Sequence, residues 1–162
     1  MNSSLSWPEP VLKLQDGLGL LFLRLWVGQE FLLAGYTKLA AGFQAPEWFA
    51  GLAFPFPQSL LSADLNWMLA GAGELTLAAA LILGLYTRWA ALGLLYVTYV
   101  AVHTVHFDLG WAGWNQIETE MGLGFKLPLM LAVMLLALLT QGAGRYSIDR
   151  WKFATRPDSG PH

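Results

Sequence analysis

Residues 66–107 read NWMLAGAGELTLAAALILGLYTRWAALGLLYVTYVAVHTVHF, two apolar stretches, 66–86 and 89–107, separated only by a turn around Tyr86-Thr87-Arg88. A helix that crosses a bilayer needs about 20 mostly apolar residues, and each stretch is close to that length. So short a connection makes the two helices antiparallel neighbours. Outward from this pair, apolar runs at 17–40 and 121–140 supply a first and a fourth segment of the same kind. The expected fold is all-α: a polytopic membrane protein forming one antiparallel four-helix transmembrane bundle over 1–162. Composition agrees. With 56% hydrophobic and 12% charged residues among 162, and a mean hydropathy of +0.47, the chain is too apolar for an ordinary soluble domain.

Orientation follows from the basic residues. Lys13 precedes the first segment, Arg88 lies in the short turn, and Arg145, Arg150, Lys152 and Arg156 follow the fourth, whereas 41–65 and 108–120 carry no Lys or Arg. Both termini are therefore expected in the cytoplasm, with Lys38 as the exception to the pattern. Trp48, Trp67, Trp89, Trp111, Trp114 and Trp151 fall near segment ends, as an aromatic belt requires; Trp26 does not. The opening MNSSLSWPEP has no basic residue and two prolines, which argues against a cleaved signal peptide. The closing RPDSGPH reads as disordered. Pro46, Pro55 and Pro57 break the connection 41–65, whose aromatic residues make it an interfacial outer loop or a cover over the bundle mouth. The chain has no cysteine, which removes disulfides, CxxC redox pairs and thiolate ligation. A net charge of −2 without a basic stripe gives no reason to expect nucleic acid.

Ionisable residues within apolar runs are costly and mark candidate sites. Counting about 1.5 Å per residue from the cytoplasmic ends puts Glu30, Glu74, His103 and Lys126 in one layer, about 18–21 Å up, with Arg24 at about 10 Å. In that layer Glu30 and Glu74 would be neutralised by Arg24 and Lys126. His103 and His106, three apart, share a helix face. They lead into a connection bearing Glu118 and Glu120, so a divalent metal held by His103, His106 and one of these carboxylates is a second expectation. Gly28, Gly35, Gly71, Gly73 and Gly84 are candidates for close helix approach. Pro128 is expected to free the carbonyl of Gly124 beside the polar layer.

Several pieces resemble the DoxX family of four-helix bacterial membrane proteins. They are Leu23-Arg24-Leu25 with Gly28, Phe31, Ala34-Gly35 and Lys38-Leu39; Glu74 followed by Leu83-Gly84-Leu85-Tyr86-Thr87-Arg88 and Ala90-Ala91; and Gly142-Ala143-Gly144 with Ser147-Ile148-Asp149. The stretch 120–129 is similar to a subgroup that accompanies gene clusters for metal-sequestering peptides. The resemblance implies a multi-pass inner-membrane protein, in several relatives a subunit of a quinone-reducing sulfur oxidoreductase or of a membrane oxidoreductase complex. It carries over Arg24, Glu74 and Arg88 as family-typical positions without assigning them a role.

The first functional expectation is therefore a membrane subunit binding a quinone, or a similar lipid-soluble ring, between its helices. Arg24, Lys126 or His103 would donate to the ring oxygens, and Glu30, Glu74 and His103 would pass protons outward through His106. No haem, flavin or iron–sulfur cluster is expected on this chain, so electrons would come from a partner protein or redox subunit. A homodimer with the ligand at its seam is compatible with so small a bundle. The competing expectation is a non-enzymatic helper handling a metal or a metal-binding peptide at the outer face.

Overall fold

A computed structural model describes residues 17–154; Lys13, Arg156, the opening MNSSLSWPEP and the closing RPDSGPH lie outside them. Four long helices, α1 (Leu18–Ala40), α3 (Ala63–Leu83), α4 (Thr87–Thr104) and α5 (Lys126–Gln141), are accompanied by two short ones, α2 (Glu47–Ala50) and α6 (Ile148–Ala154). α1 packs mainly on α3, α3 on α4, and α4 on α5, while α5 closes more loosely against α1. Neighbours run antiparallel. One end of the bundle carries the long connections 41–62 and 105–125, the loop end; the other carries the tight turns, the turn end.

α1 and α3 meet through glycines. Arg24, Val27, Gly28, Phe31 and Gly35 form the buried stripe of α1, at the i, i+3, i+4, i+7 spacing of one helix face. A Cβ on Gly35 would stand 2.7 Å from both the carbonyl oxygen of Gly71 and the amide nitrogen of Leu75, so the two backbones are in direct contact there. Gly73 has open space around it and serves no such approach. Val27, Phe31, Ala78, Leu81, Ala90, Ala91, Leu94, Leu135 and Leu138 form the shared core.

The segment starts and stops are set by local chemistry. Ser62 caps α3 by accepting from Leu65 N–H at 3.3 Å, three residues earlier than the apolar run suggests. Gly84, at φ 66°, ends α3 with the Leu85 N–H returning to the carbonyl of Ala80 at 2.8 Å. Tyr86 then takes φ 48°, and α4 begins. Its exposed N–H groups are capped from far along the chain. The Asp149 carboxylate accepts from Tyr86 N–H at 2.7 Å and Thr87 N–H at 3.0 Å, while Asp149 N–H donates to the carbonyl of Gly84 at 2.9 Å. Arg24, fully buried, donates through Nη2 to the carbonyl of Tyr146 beside this cap.

The fourth segment differs from expectation. Residues 118–123 form a small hairpin, Glu118 opposite Leu123 and Thr119 opposite Gly122, and α5 begins only at Lys126. Asp108 braces the hairpin by accepting from Leu123 N–H at 3.1 Å. Pro128 consequently sits in the first turn of α5, where it removes no intrahelical hydrogen bond and frees no carbonyl. α1 and α3 are long and apolar enough to cross a membrane, and α5 is a shorter apolar helix.

Gly84 is the tightest point of the turn end, where an added Cβ would collide with the Arg24 guanidinium and approach Ser147 Cβ to 2.5 Å. Gly84→Ala is expected to cost roughly 2 kcal/mol or more through combined clash and positive-φ strain. Gly73→Ala should be nearly neutral; thermal unfolding of the two variants in detergent checks the contrast.

Candidate functional site

A cavity of about 400 Å³ opens at the loop end. Lys38 of α1, Asn66, Leu69, Ala70 and Glu74 of α3, and Tyr96, Val97, Val100, Ala101 and Thr104 of α4 form its walls. Trp48, Phe49, Phe54 and Gln58 from the connection 41–62 cover it, and Val105 and His106 complete its rim.

The cover is anchored rather than loose. Phe49 packs edge-on against Trp67 at 5.0 Å between ring centroids and tilted against Phe54 at 5.1 Å; Trp48 meets Trp67 at 6.1 Å. Trp67 Nε1 donates to the carbonyl of Gly42 at 3.1 Å, and Asn66 Nδ2 to the carbonyl of Gln58 at 3.0 Å. Asp64 accepts from Ala45 N–H at 2.8 Å. Gln58 Oε1 in turn accepts from the Tyr96 hydroxyl at 2.6 Å, tying the cover to α4.

At the base lies an ion pair. Lys38 Nζ stands 3.0 and 2.7 Å from the two oxygens of Glu74, with the Glu74 side chain 8% exposed and Lys38 22%. Both positions follow from the glycine contact, because Gly35 and Lys38 lie three apart on α1, as Gly71 and Glu74 do on α3. An ammonium and a carboxylate held this close, with one side open to a cavity, can donate to a ligand oxygen and accept from a ligand hydroxyl. His106, beyond the end of α4, is half-buried. Burial pulls its imidazole below the ordinary histidine value, opposed by a hydrogen bond to the Gly124 backbone and by the Asp108 carboxylate. Its Nδ1 is buried without a partner.

Of the residues singled out from sequence, the cavity gathers Glu74 and His106. The expected single layer does not form. Glu30 is on the exposed face of α1, because Arg24, Val27, Gly28, Phe31 and Gly35 take the buried one. His103 is exposed too, its ring tilted against that of Tyr99 with centroids 6.3 Å apart. Lys126, at the first turn of α5, is half-buried and outside the lining; Arg24 is at the turn end, bonded to Tyr146. The neutralisation of Glu30 and Glu74 by Arg24 and Lys126 is thus replaced by Lys38 on Glu74. His103, His106, Glu118 and Glu120 do not converge, and among the described residues no three His, Asp or Glu side chains are placed to hold a metal ion. Lys38 reads from sequence as a span-end basic residue and not as part of a site. The signal that finds it is its offset of three from Gly35, matched by Glu74 after Gly71.

Breaking this pair has unequal consequences. Lys38→Met strands a buried carboxylate and is expected to cost about 3 kcal/mol. Glu74→Gln costs less, since the partly exposed ammonium can turn toward solvent. Lys38→Met with Glu74→Leu should recover most of the loss; a double-mutant cycle of thermal unfolding in detergent reads all three values.

The DoxX family profile matches residues 19–107, from the start of α1 through the rim of the cavity. An uncharacterized protein of Haemophilus influenzae is 40% identical over 136 residues, covering 83% of each chain. No solved structure matches the chain. The profile spans α1, α3 and α4, which carry both the glycine contact and the Lys38–Glu74 pair. The chain belongs to the DoxX family.

Proposed function

We propose that this DoxX protein spans the bacterial inner membrane four times with both termini in the cytoplasm, and that its loop-end cavity binds the ring of a quinone or a similar lipid-soluble compound. In this reading it is the ligand-binding subunit of an oxidoreductase system, and a partner protein supplies the electrons.

Four spans are supported by the polarity of the surfaces. The helices turn Phe22, Trp26, Leu33, Leu69, Leu83, Leu92, Val133 and Leu136 outward, while Arg24, Glu74, Thr87 and Thr98 are buried. Water would favour the opposite arrangement, whereas lipid favours this one. α5, at 16 residues, is about 24 Å long. Its hairpin and first-turn lysine would then rest at the outer interface, where Trp111 and Trp114 are also exposed.

The observation that carries the ligand reading is the make-up of the cavity: aromatic rings above, an ion pair below, and aliphatic residues of α4 along one wall. A quinone ring presents flat apolar faces and two carbonyl oxygens, which suit such a lining. Lys38 would donate to a ring oxygen, with Glu74 holding the ammonium in place. His106 offers a ring nitrogen that accepts a proton in one tautomer and donates in the other. Arg24 and Lys126, named from sequence as ring donors, have no part in this.

The protein reconstituted in vesicles should show saturable quenching of tryptophan fluorescence by a quinone, since Trp48 is in the lining. Ala101→Phe, which fills the cavity, should abolish the quenching while leaving the melting temperature near that of the unsubstituted protein. His106→Phe should weaken binding roughly three- to tenfold, the effect of one lost hydrogen bond. Quenching that survives Ala101→Phe unchanged rules the cavity out as the binding site.

A further inference from the structure

The cavity is not sealed by the helices. Of the lining residues on α3 and α4, Leu69 and Tyr96 have exposed side chains, at 54% and 43%, whereas Asn66, Ala70, Glu74, Val97, Val100, Ala101 and Thr104 do not. Leu69 and Tyr96 are therefore where the lining on α3 and α4 meets the apolar exterior. At this edge the Tyr96 hydroxyl donates to Gln58 of the cover at 2.6 Å. Next to it, Tyr96, Tyr99 and His103 form a ladder of exposed rings along α4, with centroids 6.4 and 6.3 Å apart. Rings with one polar edge belong at the boundary between headgroups and acyl chains.

A volume of about 400 Å³ is near the lower end of ligand pockets, which run from roughly 300 to 1,000 Å³. It accommodates a one- or two-ring head but not a long isoprenoid chain as well. We infer that the ligand is a tailed one, dissolved in the bilayer, that its ring enters sideways between α3 and α4, and that its tail stays in the gap beside Leu69 and Tyr96. This rests on the quinone reading above and adds the class of quinone and the path it takes. The exposed ladder is where the ring waits in the outer leaflet, and the Lys38–Glu74 pair is where it stops.

Two probes in phosphatidylcholine vesicles separate the possibilities: menadione, which has no tail, and a menaquinone with a multi-unit isoprenoid tail. Leu69→Trp fills the gap without reaching the ion pair. It should weaken the tailed quinone at least tenfold in tryptophan quenching while changing menadione less than twofold. Equal loss for both probes, or no loss for either, overturns the inference while leaving the quinone reading in place. Failure of both probes to quench the unsubstituted protein overturns the quinone reading and this inference with it. An independent measurement on the unsubstituted protein covers the case in which Leu69→Trp does not fold. A menaquinone with a photoreactive diazirine on its tail should label peptides containing Leu69 or Tyr96, and label confined to α1 or α5 overturns the path.

Discussion

The contact of backbone on backbone at Gly35 and Gly71 governs this molecule. With 2.7 Å between a would-be Cβ on Gly35 and the Gly71 carbonyl oxygen, α1 and α3 leave no room for a side chain between their backbones there. That proximity seats Glu74 opposite Gly35 and Lys38 opposite Gly71 on the antiparallel partner, which brings the two opposite charges within hydrogen-bonding distance. A larger residue at either position would push the axes apart and part the ammonium from the carboxylate. The site is thus a by-product of packing, since the smallest side chains make room for the most polar ones.

The same logic orders the rest of the bundle. Distant parts of the chain are joined by polar contacts, as Arg24 Nη2 is to the Tyr146 carbonyl and Asp149 to the first amides of α4. Large apolar side chains such as Phe22, Trp26 and Leu33 face outward. At the loop end the pattern relaxes, and aromatic residues of the connection 41–62 fold back over the helix ends. The cavity is the gap that remains between a tightly packed helix pair and a cover held by a handful of hydrogen bonds.

Much of the fold was legible because apolar run length is a strong signal: α1 and α3 begin and end within three residues of the runs that announce them. The start of α5 was not legible. Met121 to Phe125 are as apolar as a helix needs, but Gly122 at φ 140° and the Asp108 carboxylate turn them into a hairpin instead. Azimuth around a helix was not legible either. Glu30 and Glu74 are at comparable heights by counting, yet they point in different directions, and only the stripe of small and buried residues on each helix decides which way. Reading Gly28 and Gly35 as the inward face of α1 would have turned Glu30 outward and drawn Lys38 in.

Asp149 lies more than sixty residues beyond the amides it caps. During synthesis the residues of the α3–α4 bend are made before that carboxylate, so their amides have this partner only once α6 has been added. Docking of α6 therefore fastens this bend with a residue made more than sixty positions later.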